Sequence, residues 1–121
     1  MKKSSILFLL LALAVGCSML SPIYKIAKDN KNHMNNLSTG MTQEELLRVM
    51  GRRTFNLGKL TVTNPYRSEN LTGASGDYQV IYYVTSVELD DDIISDNELT
   101  PFVFYENKLI GWGWDYLAKV R

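Results

Sequence analysis

The chain opens with a block that has no polar side. Ile6 to Val15 is an unbroken apolar run, preceded by Lys2 and Lys3 and closed by Gly16. A helix that spans a bilayer needs about 20 apolar residues, so this run is too short to be a permanent span. A positive start, a short apolar middle and a small residue at the end form the layout of a secretory signal peptide. After it the period changes. Ser21-Pro22 reads as an N-cap followed by proline in the first helical turn. A first helix is expected from Pro22 to Asn36, with Ile23, Ile26, Ala27, Met34 and Leu37 on one stripe. Thr42, with Glu45 three residues on, is a capping box for a second helix. Leu46, Leu47, Val49 and Met50 form its buried side, and Gly51 is its stop.

From there the pattern moves toward period two. Leu57 to Thr63 alternates until Asn64-Pro65 breaks it, and Arg67 to Asp77, rich in Ser, Asn, Thr and Gly, reads as a loop. Tyr78 to Val87 is aromatic and β-branched and predicts a strand. Leu99–Tyr105 and Lys108–Tyr116 predict a hairpin around Glu106-Asn107, where Asn tolerates a left-handed backbone. Strict alternation along that hairpin puts Phe102, Phe104, Leu109, Gly111 and Gly113 on one face. Val103, Tyr105, Ile110, Trp112 and Trp114 fall on the other. The glycine-containing face would accept a helix across the phenylalanines. Tyr105, Trp112 and Trp114 would then form a half-open recognition surface suited to a protein partner or to a second copy of the chain. The alternative is that the tryptophans fill the core and the phenylalanines turn outward.

Composition bounds what this pattern can do. Without residues 1–16 the chain keeps 105 residues, enough for one compact domain, with 11 Lys and Arg against 13 Asp and Glu. With no basic field to serve phosphates, nucleic acid is excluded as the expected partner. A hydrophobic content of 45% and an aromatic content of 11% are those of a chain that folds. His33 is the sole histidine and Cys17 the sole cysteine, which argues against a zinc site or a Cys/His or Ser/His catalytic set. His33 reads as a solvated helix residue. Asp90, Asp91, Asp92 and Asp96 lack the glycine and glutamate spacing of a calcium loop and read as a solvated connection. No metal, no cofactor and no enzymatic activity are expected.

Cys17 needs its own explanation, since one cysteine cannot close an intramolecular disulfide. Ala14-Val15-Gly16-Cys17 resembles a bacterial lipobox. The resemblance implies cleavage before Cys17, acylation of its thiol and its new amine, and retention at the membrane. Each acyl CH₂ buried is worth about 0.8 kcal/mol, so several chains anchor firmly. Ser18 rather than Asp follows the cysteine, which by the same resemblance implies the periplasmic face of the outer membrane of a Gram-negative bacterium.

Leu37-x-x-Gly40-Met41-Thr42, with Glu45-Leu46-Leu47 and Gly51, resembles the signature of the SmpA/OmlA (BamE-like) small outer-membrane lipoproteins. The ending Leu99–Trp114 is similar to uncharacterised lipoprotein relatives with a T-P-x-V-F…K-L-x-G-W-G pattern. That family often has Pro shortly after the helix-ending glycine, where this chain has Arg52-Arg53. The implied fold is α+β, two N-terminal helices packed on a three-stranded antiparallel sheet. The division expected is a signal peptide at 1–16, a lipidated tether and first helix at 17–36, and an SmpA/OmlA-like domain at 37–121. The implied function is that of a lipid-anchored accessory protein of the envelope, supporting outer-membrane-protein assembly through protein contacts. The alternative is an enzyme-inhibitor-like or ligand-binding lipoprotein module.

Overall fold

The computed structural model describes residues 22–88 and 93–121. The signal segment, Cys17 and Asp90–Asp92 lie outside the described residues.

Helix α1 (Pro22–His33) buries Ile23, Ile26, Ala27 and Asn30, the i, i+3, i+4, i+7 stripe of an amphipathic helix. A 3₁₀ turn (Met34–Asn36) continues it. The chain then crosses an open sheet edge: Gly40 N–H donates to the Leu109 carbonyl and Leu109 N–H to the Met41 carbonyl, both at 2.8 Å. Thr42 follows as the N-cap of α2 (Gln43–Met50), its hydroxyl accepting from Glu45 N–H at 3.2 Å. The Asn107 side chain satisfies a further orphan donor, Gln43 N–H, at 3.2 Å. Gly40-Met41-Thr42, the centre of the family resemblance, thus seals a sheet edge and starts a helix.

The expected fold, two N-terminal helices on a three-stranded sheet, is corrected. Six strands make two sheets: a ribbon of β1 (Arg53–Leu57) and β2 (Leu60–Asn64), and a four-stranded antiparallel sheet ordered β3-β4-β5-β6. The latter comprises β3 (Arg67–Gly73), β4 (Gly76–Val84), β5 (Leu99–Tyr105) and β6 (Lys108–Trp112). The segment read as a loop is β3, paired along its length with β4 from Arg67↔Tyr82 to Gly73↔Gly76. Its polarity is that of an edge strand, exposed at Arg67 to Asn70. The alternation at Leu57–Thr63 is half of a hairpin that turns at Gly58, whose φ is +79°. Glu106 and Asn107 take φ of 50° and 61°, the left-handed pair of a tight hairpin.

The last element also differs from expectation. The strand ends at Trp112, Gly113 adopts φ +100°, and α3 (Trp114–Val120) turns back onto the sheet. A residue with a Cβ rarely takes that φ. A bulge in β6 changes the parity of faces: Phe104 pairs with Leu109, but Val103 with Gly111 and Phe102 with Trp112. Ile110 is the extra residue, and Gly111 and Trp112 swap sides relative to strict alternation.

Both sheet faces are covered. Tyr78, Val80, Tyr82, Val84, Leu99 and Val103 pack under Ile23, Ile26 and Ala27 of α1, Val62 of β2 and Leu117 of α3. Ile81, Tyr83, Phe102, Phe104 and Leu109 pack under Met41, Leu46 and Met50. The uncovered face that would have driven self-association is therefore absent among the described residues. No described helix is long and apolar enough to cross a membrane.

Candidate functional site

Between α1, the end of α2 and β1 lies a groove of about 390 Å³. Ile26, Met50, Phe55 and Leu57 supply its apolar floor, the first two buried and the latter two half-buried. Lys25, Asp29, His33, Arg52 and Arg53 stand exposed around it. The local sequence explains the placement. Gly51 ends α2 at φ +93°, a conformation that glycine permits, and its N–H still bonds the Leu47 carbonyl at 2.8 Å. The chain leaves the helix there, so Arg52 and Arg53 lie at the mouth as β1 begins. The Tyr83 hydroxyl donates to the Gly51 carbonyl at 2.8 Å and holds this corner to the sheet.

At one end of the groove two buried amides lock α1 to β2. Asn30 Nδ2 donates to Asn64 Oδ1 and Asn64 Nδ2 to Asn30 Oδ1, each at 3.0 Å, and Asn30 Nδ2 also reaches the Val84 carbonyl at 2.8 Å. All of these polar atoms are paired, so the wall they form is fixed.

The electrostatics of the groove are one-sided. Among the described residues Asp29 is the only acid in the lining, and its carboxylate lies 3.9 Å from Lys25 in an exposed pair of little energetic weight. Arg53 stacks over the Phe55 ring, 4.9 Å from its centroid. Among the described residues neither Arg52 nor Arg53 forms an ion pair. Burial pushes the Tyr83 hydroxyl well above the usual tyrosine range, and the nearby Arg52 charge pulls weakly the other way.

Other polar clusters are self-satisfied. The Tyr82 hydroxyl donates to Glu69, the Arg67 guanidinium lies 4.3 Å from the Tyr82 ring centroid, and Arg67 pairs with Asp96 at 3.2 Å. Arg121 reaches Glu69 at 3.7 Å. Burial, then the bond to Glu69, raises the pKa of Tyr82. This is a latch between β3, β4 and the chain end. A second cleft of about 350 Å³ between α2 and β3 is lined by Gln43, Ser68, Asn70 and Gln79, and shares Arg52 with the groove. Among the described residues no group of His, Cys, Asp and Glu is arranged to hold a metal ion.

The residues singled out from the sequence are only partly on one side of the sheet: Tyr105 and Trp114 share the core under α1, and Trp112 belongs to the other. Cys17 lies outside the described residues. Tyr105 is half-buried, its ring 5.4 Å from that of Tyr78. Trp112 packs on the opposite face, 6.2 Å from Phe102. Trp114 starts α3 and donates from its indole Nε1 to the Leu99 carbonyl at 2.9 Å. None of the three lines the groove; Tyr105 and Trp114 pack against the core under α1, as alternation placed them, while the bulge moves Trp112 to the opposite face. The groove residues carried one legible signal, the Arg52-Arg53 pair directly after a helix stop.

A family model described as a protein of unknown function, DUF3192, matches residues 24–119, and the chain belongs to that family. No curated protein and no solved structure matches it.

Proposed function

We propose that this DUF3192 family member is a lipid-anchored accessory protein of the bacterial envelope, held at the periplasmic face of the outer membrane by acylated Cys17. In this reading it works by binding a protein partner in the groove between α1 and β1. The observation that carries the binding role is the groove itself: an apolar floor, walls fixed by buried hydrogen bonds, and at its mouth Arg52 and Arg53, which have no ion-pair partner among the described residues. The anchor and the membrane rest on the lipobox resemblance, and a role in outer-membrane-protein assembly on the resemblance of Leu37–Gly51. The groove's volume also falls in the range of small-ligand sites, so a ligand-binding module is the second reading.

The test is photo-crosslinking in cells from a reactive side chain at His33, on the groove rim, with Asp115 on α3 as the control position. A discrete protein adduct from position 33, absent from position 115 and lost in Arg52→Glu/Arg53→Glu, is expected. Equal adducts from both positions, or an adduct indifferent to the arginines, would reject the groove as the contact site.

A further inference from the structure

We infer that the groove takes an extended apolar peptide bearing a carboxylate, its side chains on the Ile26–Met50–Phe55–Leu57 floor and its carboxylate at the Arg52–Arg53 mouth. The inference deepens the reading above and rests on it for the location of the contact.

Three observations point to this chemistry. The first is charge. The chain after residue 16 has more acids than bases, and Arg67 and Arg121 are each matched to a carboxylate within the fold. Arg52 and Arg53 are adjacent, exposed and unmatched by a carboxylate among the described residues. Guanidinium groups present a planar fork that matches a carboxylate in a two-pronged hydrogen bond. The second is preorganisation. Stacking on Phe55 holds the Arg53 guanidinium at the boundary of the apolar floor, so less side-chain freedom is lost when an anion arrives. The third separates a peptide from a lipid. β1 supplies Arg53, Phe55 and Leu57 to the groove and pairs only with β2. Its other edge therefore carries N–H and C=O groups without a backbone partner among the described residues. An extended peptide can add to such an edge by main-chain hydrogen bonds, and its alternate side chains then enter one face. A lipid tail cannot answer those groups.

The decisive experiment titrates the purified lipidated protein, in neutral detergent, with a fluorescent heptapeptide of alternating valine and threonine. The peptide is prepared with a free C-terminal carboxylate, as the C-terminal amide, and with alternate backbone nitrogens methylated. The carboxylate form should bind about threefold to fivefold more tightly than the amide, the upper scale of a two-pronged ion pair at an exposed site. The methylated form should bind more weakly than the unmethylated one. Arg52→Gln/Arg53→Gln, both exposed positions, should melt like the wild type and lose the distinction between carboxylate and amide. Equal binding of carboxylate and amide, or no binding of either, overturns the inference. So does displacement of the peptide by short-chain phosphatidylglycerol at matched concentration, which would make a lipid the occupant. Because this assay needs no cellular partner, it separates the two claims. Failed capture from His33 with intact peptide discrimination removes the envelope role alone, and the reverse result removes the peptide chemistry alone.

Discussion

At the scale of single residues, Asn30 shows how one polar side chain fixes an element. Its amide closes a reciprocal pair with Asn64 and reaches the carbonyl of Val84, while the residue itself is 1% exposed. Asn30→Leu would leave the Asn64 amide and one carbonyl buried without partners, at a cost on the order of 2 to 4 kcal/mol. A denaturant melt reads this directly. Adding Asn64→Leu should recover part of the loss, since removing both partners costs less than orphaning one. Tyr83 gives a different readout. Its hydroxyl is buried against Gly51, so its folded pKa lies above the ordinary tyrosine value of 10.0. The proton is therefore held more tightly in the folded state than in the unfolded one. The stabilisation is complete below pH 10 and is lost as pH rises above it toward the folded pKa. Stability measured between about pH 9 and 11.5 should fall above pH 10, and in Tyr83→Phe that fall should be shallower. Identical slopes would mean that Tyr83 ionises freely in the fold.

At the scale of elements, the sequence was most legible where one local rule was enough. The Thr42 cap, the Gly51 stop and the Glu106-Asn107 turn are each short-range chemistry, and each is found where the residues place it. What was illegible depended on a neighbour. β3 is polar because it is an edge, and its identity as a strand comes from pairing with β4. Gly111-Trp112-Gly113-Trp114 looks like continuing alternation, yet each residue answers to a different contact. Gly111 lies beneath the Tyr116 ring, where an added Cβ would come within 2.7 Å of ring atoms. Trp112 closes one core, Gly113 reverses the backbone, and Trp114 bonds the Leu99 carbonyl. Gly111→Ala should therefore cost about 1–3 kcal/mol through overpacking. In a Tyr116→Ala background the same substitution should cost much less, a coupling that a double-mutant cycle measures. Additive effects would show that the ring moves aside freely. The groove was hidden for the same reason: Ile26, Met50 and Phe55 come from three elements, and no periodicity within one segment relates them.

At the scale of the molecule, the covered sheet leaves the α1 side as the place where the fold, the proposed anchor and the proposed groove contact would meet. Helix α1 lies against the sheet through Ile23, Ile26 and Ala27, and its first residue, Pro22, already lines the groove. Only residues 18–21 separate it from Cys17. At about 3.5 Å per extended residue, an acylated Cys17 would keep Pro22, at the near end of the groove, within roughly 20 Å of the membrane surface. The family match begins at residue 24, past the cysteine. Cys17→Ser should therefore abolish labelled palmitate incorporation and leave the denaturant midpoint of the domain unchanged. A variant with about ten Gly and Ser residues inserted after Ser21 should keep its palmitate. It should lose crosslinking from His33 if the partner is met at the membrane surface, because a flexible linker lowers the local concentration of the groove there. Palmitate on the Cys17→Ser chain would refute the anchor. Full crosslinking from the lengthened tether would show that the partner is met away from the surface.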